Sequence, residues 1–172
     1  MSVTLDEAIA ANHESAKRFV ARARTVAADQ WANPVAPGKW SPAQLLDHVA
    51  VSTEVALNAI KGDKAMGSIP RIFRPLARRF ILKPTLVKGA LPAKMKGPPI
   101  FAPSQQHLAL EVSANRLDRA IGDLETHVRG LAAQGTELFE HGFFGWVVIA
   151  DYVRFNALHL NHHEKQLPAP RQ

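Results

Sequence analysis

The chain has 172 residues, of which 47% are hydrophobic and 21% are charged, and it contains no cysteine. This is the composition of an ordinary globular protein, long enough to form its own core as a single domain over residues 1–172, and it excludes disulfide bridges and thiolate metal ligands. The net charge of +6 is concentrated, because residues 61–96 hold ten basic side chains and one acid, which leaves the remainder of the chain acidic.

Two helices with clear start signals are predicted in the first third of the chain. The first spans about residues 5–27, because Thr4 and Glu7 have the spacing of a capping box and apolar residues then recur at helical intervals. The second begins after Ser41, with Pro42 at the first helical position and Gln44 completing a second capping box. Its inward stripe consists of small and apolar residues: Leu45, Val49, Ser52, Ala56 and Ala59.

Residues 62–103 interrupt this pattern. They contain seven prolines and four glycines without a sustained period. One short helical piece is predicted over residues 75–82, and the rest is interpreted as a long connection with a functional or packing role. Two further helices follow, the third after Pro103 with Ser104 as its cap and the fourth over about residues 147–167.

The predicted fold is all-α, a four-helix bundle with a long proline-rich connection between the second and third helices. The third helix supports this assignment with a seam at alternating four- and three-residue spacing, formed by Leu117, Ile121, Leu124, Val128 and Leu131. No strand-like alternation is recognised. The longest apolar stretch has about eight residues, whereas a membrane span needs about 20. The N-terminal residues include two acids and no apolar signal-peptide core, so we expect a soluble, cytoplasmic protein.

A candidate metal site lies on the fourth helix. His159 and His163 are four residues apart, which places two imidazoles on one helical face within reach of one cation. That face also carries Val148, Tyr152 and Phe155, so both rings are predicted to point into the bundle, and Gln166 lies on the same side as a hydrogen-bonding partner. The alternative is that histidines gather at a helix C-terminus because they interact favourably with the helix dipole.

His48, on the inward border of the second helix, favours the metal interpretation. One histidine from the second helix and two from the fourth would supply three inward ligands from facing elements, as bundle metal sites do. Three imidazoles leave a coordination position open, and they suit Zn, Ni or Fe(II) without choosing among them. His13 is interpreted as a buried histidine with a hydrogen-bond partner, and His107 and His127 are expected at the surface.

Two segments resemble the DinB-like superfamily. They are GKWSPAQLLDHVA at residues 38–50 and HLNHHEKQL at residues 159–167, and HGFFG at residues 141–145 is similar to the loop before that family's last helix. The resemblance implies a four-helix bundle with a three-histidine metal site at His48, His159 and His163. Many members have Arg-Gly between the last histidine and the glutamine, where this chain has Glu164-Lys165.

The resemblance also implies a class of activity and an assembly. Better-understood relatives are metal-dependent transferases or isomerases that use low-molecular-weight thiols such as bacillithiol or mycothiol, and a homodimer is expected. A thiol-transfer enzyme acting on a small molecule is therefore the leading hypothesis, with metal-dependent hydrolysis as a variant. A general base for hydrolysis is not evident, because Glu164 and Asp151 point away from the histidine face and His141 is the one nearby loop candidate. The alternative is a non-catalytic metal- or ligand-binding, stress-response protein.

The basic stretch admits a third hypothesis. In a helix, Arg71, Arg74 and Arg78 can line one side while Ile72, Leu76 and Phe80 line another, as in segments that bind anionic lipid or nucleic acid. We favour the interpretation that these apolar residues close the bundle while the arginines remain solvated. No membrane or nucleic-acid partner is therefore expected.

Overall fold

In the computed structural model of the chain, the described residues are 3–63, 68–92, 101–103 and 108–169. Four long helices form the bundle: α1 (Leu5–Arg24), α3 (Pro42–Ile60), α6 (Leu110–Ala133) and α7 (Ile149–Glu164). The short helix α2 (Ala28–Trp31) follows α1. Helix α1 packs mainly along α7, and α3 packs mainly along α6. The predicted four-helix bundle is confirmed. Among the described residues, no helix combines the length and hydropathy needed to cross a membrane.

Both predicted capping boxes are present. Thr4 accepts a hydrogen bond from the backbone of Glu7 and Ser41 accepts one from the backbone of Gln44, and in each case the partner's side chain bonds back to the cap. These reciprocal bonds satisfy amides that the first helical turn leaves without partners, and they fix where α1 and α3 begin. The predicted inward stripe of α3 is buried throughout.

The connection between α3 and α6 is more helical than predicted. A 3₁₀ turn at Arg71–Phe73, α4 (Arg74–Ala77), a π-helical turn at Arg78–Leu82 and α5 (Lys83–Lys88) follow one another directly. The wider π turn lies just before Pro84, whose ring and missing N–H are incompatible with a regular α-helical bond to the residue four positions earlier. Helix α6 starts at Leu110, later than predicted, and the proposed Ser104 cap lies outside the described residues.

The orientation predicted for this connection is wrong. The side chains of Ile72, Leu76 and Phe80 do not close the bundle, because they are 78%, 51% and 66% exposed. Arg74 instead packs inward: its guanidinium donates to the carbonyl of Ile69 and lies 2.7 Å from the Glu140 carboxylate. The segment therefore presents its apolar side chains outward and attaches to the rest of the fold partly through arginine.

A β-hairpin was not predicted. Strands β1 (Leu138–His141) and β2 (Gly145–Val148) pair antiparallel, with Leu138 opposite Val148 and His141 opposite Gly145. Helix α7 consequently begins at Ile149, two residues later than predicted, and no side chain caps it. Val148 belongs to the strand and is partly exposed, so its predicted place on the inward face of the last helix is wrong.

Candidate metal centre

Three histidines from two helices converge inside the bundle. His48 lies on α3, and His159 and His163 lie one turn apart on α7. The Nε2 atom of His48 is 3.2 Å from that of His159 and 3.1 Å from that of His163, and the last two are 3.0 Å apart. We call these three residues the histidine triad. The structure thus brings together all three histidines that the sequence singled out, in an arrangement that could hold a metal ion.

The hydrogen bonds of His48 and His163 leave their Nε2 lone pairs free. The Nδ1–H group of His48 donates to the carbonyl of Phe101, and that of His163 donates to Oε1 of Gln166 at 3.1 Å. A carbonyl or amide oxygen can only accept, so Nδ1 carries the proton in both neutral rings and Nε2 is a bare acceptor. Gln166 uses its amide nitrogen to donate to Nε2 of His162, at 3.0 Å.

The three Nε2 atoms of the triad are better suited to binding a metal ion than to binding a proton. Two unprotonated nitrogens about 3 Å apart repel each other unless a cation lies between them. Burial lowers the pKa of His163 to about 3, with the neighbouring His48 contributing, and burial followed by the other triad rings lowers the pKa of His159 well below its usual value. Burial also lowers the pKa of His48. Neutral imidazoles are the form that binds Zn, Ni or Fe, and nitrogens bound to one tetrahedral ion at about 2.0–2.1 Å lie about 3.4 Å apart.

The triad is supported by groups that the sequence did not identify as part of the site. The Trp40 ring lies against the rings of His48 and His163, with centroids 4.6 and 6.0 Å away. Asp47, beside His48, is buried and accepts from Arg116 of α6 at 3.0 Å. The Trp40 contact restricts the orientation of the two imidazole rings, and the contact between Asp47 and Arg116 ties α3 to α6 beside His48.

A cavity of about 490 Å³ opens beside the triad. All three triad residues line it, together with Ser52, Asn156 and His162. Ala77, Ile81 and Leu91, from the connection between α3 and α6, form part of its wall, which gives that long segment a packing role. Its apolar lining is completed by Trp40, Ala56, Phe101, Phe143, Phe144 and Phe155.

His141 and Tyr152 also line this cavity. The Nδ1 atom of His141 accepts from the backbone N–H groups of Phe143 and Phe144, at 3.0 and 3.3 Å, and its Nε2 lies 3.0 Å from the Tyr152 hydroxyl. Burial first, and Arg74 second, lower the pKa of His141 to about 4. Because the Nδ1 lone pair is already occupied by two amides, these hydrogen bonds do not favour the general-base role considered for His141.

The burial predicted for two other histidines is wrong. His13 is exposed on α1 and pairs with Glu125 at 2.7 Å, while the buried position of that turn is taken by Asn12. His127 is half-buried, and its Nε2 has no hydrogen-bond partner among the described residues. His107 lies outside the described residues. Glu164 faces Arg18 of α1 at 3.7 Å, in keeping with its predicted orientation.

Comparison with known proteins agrees with this architecture. A sequence model described as the DinB superfamily matches residues 11–167. The solved structure titled TT2238, a four-helix bundle protein, superposes with a TM-score of 0.58 at 24% identity, covering 95% of this chain and 97% of that one. This likeness concerns the fold. No curated protein matches the chain significantly.

Proposed function

The chain belongs to the DinB superfamily, and from that premise we propose that it is a metal-dependent enzyme that transfers a low-molecular-weight thiol to a small electrophile. The observation that carries the proposal is the convergence of three Nε2 atoms within 3.0–3.2 Å at the wall of the cavity. We assign His48, His159 and His163 as the metal ligands. When bound there, a Zn, Ni or Fe ion would supply an open coordination position at which a thiol loses its proton.

The residues of the chain have complementary parts in this proposal. Gln166 and the carbonyl of Phe101 hold His163 and His48 in the tautomers that present Nε2. The apolar side chains restrict water in the cavity and leave room for a small organic molecule. Thiol transfer needs no cysteine from the protein, which agrees with a chain that has none.

The choice of thiol transfer over hydrolysis rests on the lining of the cavity. Among the described residues that line it, the ionisable side chains are histidines and Tyr152, and no carboxylate is present. Metal-dependent hydrolases commonly pair the metal with a carboxylate that acts as general base, whereas a thiol ionised at the metal is a nucleophile without such a partner.

The test uses the full chain purified without an affinity tag and loaded separately with Zn, Ni or Fe(II). Transfer of N-acetylcysteine, bacillithiol or mycothiol to 1-chloro-2,4-dinitrobenzene is followed by absorbance. We expect metal-dependent turnover with at least one thiol, and its loss in His159→Ala. Absence of metal-dependent transfer with every thiol would contradict the proposal.

The alternative is a non-catalytic metal- or ligand-binding protein. One observation favours it: the two histidines that line the cavity outside the triad, His141 and His162, already have hydrogen-bond partners. Stoichiometric metal binding together with retention of the apolar electrophile, without turnover, would support this alternative.

A further inference from the structure

The part of the cavity around Tyr152 combines aromatic walls with a few polar groups, among them the Tyr152 hydroxyl. The Tyr152 ring is stacked nearly parallel to that of Phe155, with centroids 6.2 Å apart, and it lies 5.1 Å from the ring of Phe139. Among the described residues, the Tyr152 hydroxyl has a single hydrogen-bond partner, His141. An apolar cavity with a small number of placed polar groups is the usual design of a site for a small organic ligand.

The hydrogen bonds of His141 determine what the Tyr152 hydroxyl can do. Two backbone N–H groups donate to Nδ1 of His141, so Nδ1 is unprotonated and the ring proton of the neutral imidazole lies on Nε2. Nε2–H must then donate to the Tyr152 oxygen. That leaves the hydroxyl proton for an acceptor elsewhere, and burial raises the pKa of Tyr152, so the proton is retained at neutral pH.

We infer that the cavity binds an apolar, aromatic compound carrying a carbonyl group, and that Tyr152 donates a hydrogen bond to the carbonyl oxygen. His141 is a positioning residue, because it acts on the ligand through Tyr152. The inference rests on the proposed function insofar as this compound is the electrophile of the thiol transfer. The thiolate would attack a carbon at the end nearer the triad and displace a leaving group from it, while the carbonyl anchors the other end.

The spacing along α7 gives the dimensions of the ligand. Tyr152 precedes His159 by seven residues, which is about 10 Å along the helix axis. The carbonyl would therefore lie about two helical turns from the triad, with the apolar body between them. Ser52, one turn after His48 on α3, also lines the cavity and is only 4% exposed. Its hydroxyl has no partner among the described residues, which gives the ligand a second polar contact near the triad.

The experiment compares two probes that differ in the carbonyl, 4-phenyl-2-butanone and n-butylbenzene. Their affinities for the zinc-loaded full chain are measured by titration calorimetry without any thiol. We expect Tyr152→Phe to weaken ketone binding about 5- to 10-fold, the value of one hydrogen bond, and to leave hydrocarbon binding and metal content unchanged. The matched control is Phe155→Leu, which alters the adjacent wall and should weaken both probes to a similar degree.

Two further results bear on the mechanism. His141→Leu should reproduce the ketone-specific loss, whereas His141→Gln, which can still donate, should retain part of the affinity. Failure of the wild-type chain to bind the ketone, or an equal response of both probes to Tyr152→Phe, would overturn the inference. Ketone-selective binding without thiol turnover would preserve the inference and contradict the proposed function, and turnover without ketone selectivity would do the reverse.

Discussion

Two histidine sites line one cavity and are built on opposite principles: the triad, and the pair of His141 with Tyr152, which lies two turns of α7 before His159. In the triad, the outer nitrogens of His48 and His163 are used by Phe101 and Gln166, so unprotonated nitrogens face each other. At the other group, His141 is satisfied at both nitrogens by backbone amides and Tyr152. Burial depresses the pKa in both groups. The triad could therefore hold a cation between its nitrogens, whereas both nitrogens of His141 are already used, and the depressed pKa values alone do not distinguish the two arrangements.

The largest expected effect is the loss of one triad ligand. His163→Ala should reduce zinc affinity by more than about 100-fold, because removal of groups that merely support a ligand already costs about 10- to 100-fold. His162→Ala is the matched control on the same turn. It should stay within a few-fold of wild type, since the Nε2 atom of His162 is engaged by Gln166 and not by the triad. Competition with a chromogenic chelator measures both affinities, and equal losses in the two variants would refute the distinction between them.

A smaller effect is expected at Gln166, which holds the tautomer of His163. Gln166→Ala should lower zinc affinity about 10- to 100-fold. Gln166→Glu keeps an oxygen acceptor for the Nδ1–H group and should restore most of that affinity. The same chelator competition applies. If the alanine and glutamate variants bound zinc equally, the hydrogen bond would have no part in the site.

The two sites also differ in how far the sequence predicts them. The triad could be predicted because His159 and His163 have helical spacing behind the apolar residues Tyr152 and Phe155, and because the capping box at Ser41 fixes the register of His48. The partnership of His141 with Tyr152 could not, because it depends on a hairpin of two four-residue strands. Strands that short carry too little periodicity to be distinguished from a loop, and the second begins with Gly145 at a φ of +69°.

The connection at residues 62–103 was hard to predict for another reason. The predicted helical piece over residues 75–82 stops before Pro84 because a proline ordinarily ends a helix, yet a π-helical turn before Pro84 lets the helical backbone continue to Lys88. Phe80 is exposed and Arg74 packs inward, which reverses the usual burial of apolar side chains and exposure of charged ones. The Arg74 side chain is held by the Glu140 carboxylate, which is distant in sequence, and by the carbonyl of Ile69.

The pH dependence of stability tests the neutral state of His141. Its folded-state pKa, about 4, lies below the ordinary value of 6.5, so between these values the unfolded chain binds more protons. The stabilisation is complete above pH 6.5 and is lost as the pH falls toward 4. His141 should therefore contribute about 2 kcal/mol less stability at pH 5 than at pH 7.5.

Urea unfolding of wild type and His141→Gln at the two pH values isolates this contribution. The facing groups, Tyr152 and Arg74, are retained in both proteins. The triad adds a slope of the same sign in each, which cancels in the comparison. Identical changes in the free energy of unfolding between the two proteins would show that His141 titrates normally in the folded state.

The most direct test of the account is the metal affinity of His48→Gln, measured beside its far-ultraviolet circular dichroism. The helical pair His159 and His163 would provide two ligands, and His48 would make them a three-ligand site on two helices. Glutamine approximates the shape of histidine but is a poor ligand for a transition metal. We predict a zinc affinity at least about 100-fold weaker than wild type, with helicity unchanged. Unchanged affinity with unchanged helicity would mean that His48 is a core histidine and that the triad is not the metal site.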